Sequence, residues 1–297
     1  MFALNPFWTK TPNSISYSFE LSAKKQIVLL RKSTELKAFP KIGLCIQDAV
    51  SLEQDLKDTI HLCQNFGESL QLLISEKAAL DSDRLNQVLE KLSPGDLKIE
   101  AHYLKGEAGK AILEFNQKQK FDLLIVPALA REGLIRYYTG SIARQLVQWG
   151  NCSILLIKPS DRSRAKRYQN LVCNLNDHPK SAHTLFIANE IAGGLSLTPW
   201  HISIHSDEEG QFDYFNPIVA KVELIHENVN VQKLGPRTGY NLSQSALRQK
   251  ADLLLINAPD TKLGYSGRLI GDELEYLFSE LPSDLMLVHS FDDPKFR

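Results

Sequence analysis

Short apolar runs alternate with amphipathic stretches along most of the chain, the pattern that strands and their covering helices leave in an α/β fold. Ile42–Ile46 reads as a buried strand. From about Ser51 the apolar positions Leu52, Leu56, Ile60 and Cys63 share one helical face, which Gly67 ends. Leu70–Ile74 predicts a second strand, and Ser82–Leu92 a helix facing inward through Leu85, Val88, Leu89 and Leu92. Pro94-Gly95 then makes a turn. Leu97–Leu104 is the third strand and Glu107–Gln119 the next helix. Asp122-Leu-Leu-Ile-Val is a fully apolar strand of the kind that a parallel sheet covers on both faces. Gly140-Ser141 opens another helix, and Ser153–Ile157 closes the series.

The second half runs through the same order. Strands are expected at Leu171–Cys173, Trp200–Ile204, Val229–Leu234, Asp252-Leu-Leu-Leu-Ile and Leu285–Val288. Helices are expected at His183–Ile191, Asn216–Asn228, Leu242–Lys250 and after Gly271. The repeat holds in spacing as well as in order. The two Asp-led strands lie 130 positions apart, and Gly140 and Gly271, each opening a helix before a final strand, lie 131 apart. Duplication of one domain is the economical explanation. Ser160–Arg167 is polar and basic and reads as a solvated linker, although Arg162, Arg164, Lys166 and Arg167 are also a local anion or nucleic-acid patch. Met1–Pro40 lies before the repeat. Its alternating Ile15, Tyr17, Phe19 and Leu21, followed by Ile27–Leu30, predict a hairpin around Ala23-Lys24-Lys25.

Length agrees with two cores: 297 residues is about two domains at ~100–200 residues each. Thirty-four basic against thirty-five acidic side chains give a net charge of −1, which excludes a polybasic nucleic-acid binder that draws its affinity from phosphates. The apolar runs stop far short of the ~20 residues of a membrane helix. Pro6, Lys10 and Pro12 interrupt the stretch a signal peptide would need. The expectation is a cytoplasmic chain without membrane insertion. Cys45, Cys63, Cys152 and Cys173 are widely spaced, form no CxxC pair, and read as reduced packing residues.

Four consecutive segments carry a family resemblance: Leu104-Lys-Gly-Glu-Ala-Gly-Lys-Ala-Ile-Leu, Asp122-Leu-Leu-Ile-Val, Gly133-Leu-Ile-Arg-Tyr-Tyr-Thr-Gly-Ser-Ile-Ala-Arg-Gln-Leu-Val and Asn151-Cys-Ser-Ile-Leu-Leu-Ile. Over Leu104–Lys158 the chain resembles the C-terminal half of a universal stress protein domain, and through its repeat the whole resembles a tandem universal stress protein. The resemblance implies two Rossmann-like domains of the adenine nucleotide alpha hydrolase-like kind, each with a parallel five-stranded sheet, joined as an internal pseudo-dimer. The divisions are 1–40 as an extension, 41–159 as domain one, 160–167 as linker and 168–297 as a degenerate domain two. Such domains pair through their final strands, here Ser153–Ile157 and Leu285–Val288, which would hide two apolar edges.

In the nucleotide-binding branch of the family a Gly-x2-Gly-x9-Gly-Ser/Thr loop wraps the phosphates of ATP. Glycines permit close backbone approach, and a helix N-terminus supplies free N–H groups. The four positions here are Pro127, Ala130, Gly140 and Ser141. Proline has no N–H, and Ala130 adds a methyl where phosphate would press. Gly140 and Ser141 still suit an anion, with Arg131 or Arg136 to assist, while Ser141 as a plain helix cap is the other reading. Gln47 stands where the family places an aspartate near the nucleotide, with Asp48 next. It reads either as a base or ribose ligand or as a loop side chain. In the second half the corresponding loop positions are Ala258, Thr261, Gly271 and Asp272, and a carboxylate at a helix start repels phosphate. Gly264 and Gly267 make only a displaced Gly-x2-Gly.

No motif assembles a reaction. His201 and His205 are four apart on a strand, about 13 Å at ~3.3 Å per residue, too far to share a metal. GxSxG, P-loop, HExxH and CxxC patterns are absent. The expected function is therefore a non-enzymatic stress-response or regulatory module. It would bind adenine nucleotide weakly in domain one (Gln47, Ala130, Arg131, Gly140 and Ser141) and act through an unidentified protein partner, with further homodimerisation open. The alternative is a ligand-independent scaffold or transporter-associated regulatory protein.

Overall fold

The computed structural model describes residues 9–11, 14–16, 37–127, 141–158, 168–178, 180–197, 199–205, 214–222, 229–258 and 272–289. Near the start, β1 (Thr9–Thr11) pairs antiparallel with β2 (Ser14–Ser16), so that Ile15 lies opposite Lys10. The rest of the expected hairpin, Tyr17 to Leu30, and the linker 160–167 lie outside the described residues.

The first five-strand set is β3 (Lys41–Ile46), β4 (Ser69–Ser75), β5 (Lys98–Leu104), β6 (Leu123–Pro127) and β7 (Ser153–Ile157). Its helices are α1 (Leu52–Phe66), α2 (Ser82–Leu92), α3 (Ala108–Gln119) and α4 (Ser141–Trp149). The second set is β8 (Leu171–Leu175), β9 (Trp200–His205), β10 (Val229–Leu234), β11 (Leu253–Asn257) and β12 (Asp284–Val288). It carries α5 (Ser181–Gly194), α6 (Phe215–Lys221), α7 (Gly239–Arg248) and α8 (Asp272–Glu280).

All ten strands join one sheet in the order β10-β9-β8-β11-β12-β7-β6-β3-β4-β5. Within each set the first strand lies between the second and the fourth, so the two sets repeat one topology. Pairing is parallel throughout except at the seam, where β7 and β12 run antiparallel. The seam register is self-complementary. Leu155 faces Met286, its own counterpart 131 residues on, while Ile154 faces Leu287 and Leu156 faces Leu285.

Apolar side chains alternate across the strands and fill two layers. Ile42, Leu44, Leu171 and Cys173 point to the layer under the helices of the first two crossovers, α1 and α5 among them. Leu124, Val126, Leu254 and Ile256 point to the layer under α3, α4, α7 and α8. Both layers cross the seam. On one face Phe66 of α1 fills the space beside Gly194 of α5, where a Cβ would come within 2.5 Å of the ring. On the other, Arg144 of α4 meets Glu275 of α8 at 2.7 Å.

The aspartates that lead the two repeated strands have a structural reason. Asp122 Oδ2 accepts the Lys41 N–H at 2.7 Å. Asp252 Oδ2 accepts those of Gln169 and Asn170 at 2.9 and 3.0 Å. Each carboxylate ties the start of the first strand in its set to the start of the fourth. Burial raises the Asp122 pKa while its hydrogen bond from Lys41 lowers it.

Two boundaries differ from the sequence reading. Residues 37–40 join the first set rather than the extension, because Phe39 is buried and its N–H bonds Phe66 O at 2.9 Å. α6 ends at Lys221 instead of running to Asn228, since Val222 leaves helical geometry with φ −114° and ψ 111°. Gly67 ends α1 as expected, in extended geometry. Close approach is what demands glycine there, as a Cβ would stand 2.9 Å from Ile42 Cδ1.

Candidate functional site

In an open α/β sheet, ligands bind beyond the carboxyl ends of the strands where strand order reverses. This sheet has two such points, one between β3 and β6 and one between β8 and β11. Their chemistry differs.

At the first, Gln47 leaves the end of β3 half-buried and donates Nε2–H to the carbonyl of Pro127 at 3.3 Å, bridging the gap to the end of β6. Asp48 turns to the start of α1 instead. Its Oδ1 accepts the N–H groups of Val50 and Ser51 at 2.8 and 3.3 Å. The carboxylate thereby satisfies the N-cap amide of Ser51 and the Val50 amide before it, and sits at the positive end of the α1 dipole. Ser51 donates its hydroxyl to Asp55 at 2.6 Å, and Arg84 reaches over from α2 to Ala49 O at 2.9 Å. The mouth is thus edged by one carboxamide and by the Pro127 carbonyl, which has an acceptor but no N–H behind it. Ala130, Arg131, Arg136 and Gly140 lie outside the described residues. Ser141 is the first residue of α4.

The second reversal point is closed by its own side chains. Asn257 stands at the end of β11, where Pro127 stands at the end of β6, and donates Nδ2–H to Asn176 Oδ1 at 2.9 Å and Ser181 Oγ at 3.0 Å. Thr184 donates its hydroxyl to Asn257 Oδ1. Ser181 Oγ in turn lies 2.8 Å from Asn176 O, to which it donates. Asn176 follows β8 as Gln47 follows β3, and Ser181 and Thr184 come from the first turn of α5. Four neutral groups at this strand end therefore satisfy one another. Beside them Tyr214 donates its hydroxyl to His205 O at 2.6 Å, and burial pushes its pKa up to about 12.

The sequence reading missed this network. Its residues come from three separate elements, and the available signal was Asn257, a polar side chain closing an otherwise apolar strand. The barrier expected from Asp272 rests on a side chain outside the described set, as do Thr261, Gly264, Gly267 and Gly271; Asp272 itself begins α8.

Other chemistry is sparse. Cys45, Cys63, Cys152 and Cys173 are buried free thiols, and burial holds Cys63 and Cys152 up at about 12, far from thiolate character. Among the described residues no group of three or more His, Cys, Asp or Glu side chains is placed to hold a metal ion, and no helix is long and apolar enough to cross a membrane. His205 Nδ1 lies 3.0 Å from Gly235 O. His201 occupies the same strand at the other end of β9, and burial lowers its pKa.

The class defined by this architecture is a mostly parallel Rossmann-like α/β protein with crevices at its strand-order reversals. Residues 49–158 match the universal stress protein family. The match begins just after β3, which supplies the first strand of the same sheet. Among curated proteins the chain is similar to universal stress protein MJ0531 of Methanocaldococcus jannaschii, at 29% identity over 76 residues. That similarity covers 26% of this chain and 45% of the relative, so it spans less than half of the relative's length. Among solved structures, a universal stress protein from Archaeoglobus fulgidus shares the fold with a TM-score of 0.62 at 11% identity, over 87% of this chain and 98% of that one. The functionally unknown protein PA1789 of Pseudomonas aeruginosa does so with a TM-score of 0.68 at 18% identity, over 85% and 93%. The cytoplasmic domain of a prokaryotic cation chloride cotransporter has a TM-score of 0.57 at 12% identity, over 86% and 98%.

Proposed function

We propose that the chain is a tandem pair of universal stress protein domains, 41–159 and 168–297, held as an internal pseudo-dimer through β7 and β12. It acts as a non-enzymatic regulatory module of the cytoplasm. Its first domain takes adenine nucleotide weakly at the β3/β6 crevice; its second takes none. The observation that carries this reading is the contrast between the two reversal points. A single bond from Gln47 to Pro127 spans the first, whereas Asn176, Ser181, Thr184 and Asn257 saturate one another across the second. Gln47 is placed to meet the base or ribose. Ala130, Arg131, Gly140 and Ser141 would meet the phosphates, using the amides at the start of α4. Weak binding follows from Pro127, which has no N–H, and from the Ala130 methyl.

A second reading, a ligand-independent scaffold or a regulatory attachment to a transporter, is favoured by Pro127 and Ala130 standing at two glycine positions of the loop. The likeness to a cotransporter's cytoplasmic domain supplies the fold alone. Calorimetric titration of the full chain with ATP separates the two. The nucleotide reading expects one site per chain, tighter binding in the Pro127→Gly/Ala130→Gly variant and unchanged binding in Asn257→Ala. No heat at millimolar ATP in either the parent or the double glycine variant would refute it and leave the scaffold.

A further inference from the structure

Beneath α7 the second strand set departs from the first in a way the crevices do not explain. In the first set the register pair Cys45 and Leu73, on β3 and β4, is apolar and lies in the layer under α3, with Phe115 of α3 packed against that layer. The corresponding register pair on β8 and β9 is Asn174 and Ser203. Gly109 of α3 and Gly239 of α7 are buried counterparts 130 residues apart, and the same spacing sets Ser245 where Phe115 stands. Thirteen side-chain heavy atoms have given way to eight, and all three side chains are now polar.

Here the Ser203 and Ser245 hydroxyls meet at 2.7 Å. The amide beside them stays unmet. Asn174 is fully buried, and neither its Nδ2 nor its Oδ1 has a hydrogen-bond partner in the protein. A carboxamide offers two donors and accepts at two lone pairs, and a protein interior penalises leaving such groups bare. Two serine hydroxyls sharing one hydrogen bond keep a proton and lone pairs to spare. The place therefore brings together three polar side chains, inside the two to four partners that a buried water needs, and fewer atoms than its apolar counterpart.

We propose that an internal hydration site lies between β8, β9 and α7. At least one ordered water there bridges the Asn174 amide to the Ser203–Ser245 pair. The ligand is water because the groups are neutral, mixed donors and acceptors, and sealed beneath a helix. A charged ligand would find no countercharge among them.

Oxygen-17 relaxation dispersion of water tests this on the full chain and on Asn174→Cys, which installs the residue found at the corresponding position 45. The expected result is loss of at least one long-lived internal water in the variant, with an unchanged circular dichroism spectrum. An unchanged dispersion amplitude in a folded variant overturns the proposal. Should the variant fail to fold, a high-resolution crystal structure of the unaltered chain decides. Solvent bonded to the Asn174 amide and to either serine hydroxyl supports the site, and direct protein partners for both amide atoms overturn it.

Discussion

Replacing Lys158 by methionine should change how stability depends on pH, because this lysine is a buried ionisable group at the seam. Lys158 follows β7 and is 5% exposed. Its backbone N–H bonds Asp284 Oδ1 at 2.9 Å, and its Nζ donates to Leu281 O just after α8 and approaches Leu277 O in the last turn of α8 at 3.5 Å. Tyr168 donates its hydroxyl to the other Asp284 oxygen at 2.6 Å. Burial lowers the ammonium pKa from 10.5 to about 8, against the opposing pull of Asp284 and Glu280. Between pH 8 and 10.5 the unfolded chain therefore holds a proton that the folded chain has released, so folding gains stability as pH rises through that window. The gain is complete above 10.5 and lost as pH falls to 8. A difference of about 2.5 units corresponds to ~3 kcal/mol in all, of which about 1.3 kcal/mol appears between pH 7 and pH 9. Urea unfolding of the parent and of Lys158→Met at pH 7, 8 and 9 isolates the effect, because other titrating groups cancel in the difference. The parent should gain on the variant by that amount across two pH units. Parallel stability curves would refute the burial argument.

Proline at Leu155 or Leu287 should each cost about 1–3 kcal/mol or more, because each strands a ladder partner beside the seam; unchanged scattering size and thermal midpoint in both variants would contradict the pairing of β7 with β12. Asn257→Ala should lower stability by about 2–4 kcal/mol, since it leaves Thr184 only its longer bond to Lys180 O at 3.5 Å and deprives Asn176 and Ser181 of a donor. The urea midpoint should fall with an unchanged m value, and a shift below ~0.5 kcal/mol would mean that solvent already satisfies those groups.

Much of this architecture is legible in the residues because strands and helices leave different periods. Ser82–Leu92 is bounded as expected, since Asp81 caps it by accepting the Arg84 N–H at 2.7 Å, and Ser93 takes a left-handed φ of 46°. The aspartates before the two apolar strands mark the repeat because each clamps a neighbouring strand. β7 and β12, on which the sequence reading placed the junction, meet there. The crevice of the second set was harder to read. Asn257, Asn176, Ser181 and Thr184 are separated by up to 81 positions and become partners only when β8 and β11 lie side by side. The end of α6 was also illegible, and so was the reason for the glycine that correctly marked the end of α1. Nothing local tells that Gly67 is needed for the clearance of Ile42, or that Val222 turns out of α6.

The two crevices differ in what stabilises them. A net contribution of roughly 0.5–1.5 kcal/mol per hydrogen bond gives the four bonds of the Asn257 network a few kcal/mol, independent of anything in solution. At the first reversal point the single Gln47–Pro127 bond supplies about one such increment. A ligand present at a hundred times its dissociation constant would add ~2.7 kcal/mol there, similar to what the second set holds permanently. The seam tolerates this divergence because its register depends on a backbone ladder and alternating apolar side chains at Ile154, Leu155, Leu156, Leu285, Met286 and Leu287, none of which enters either crevice. Each reversal point is nevertheless two strands from the seam, about 10 Å at the ordinary strand spacing. The second reversal point is thereby fixed by its own side chains. The first reversal point, spanned by one bond, is the one whose stability the proposed nucleotide would change.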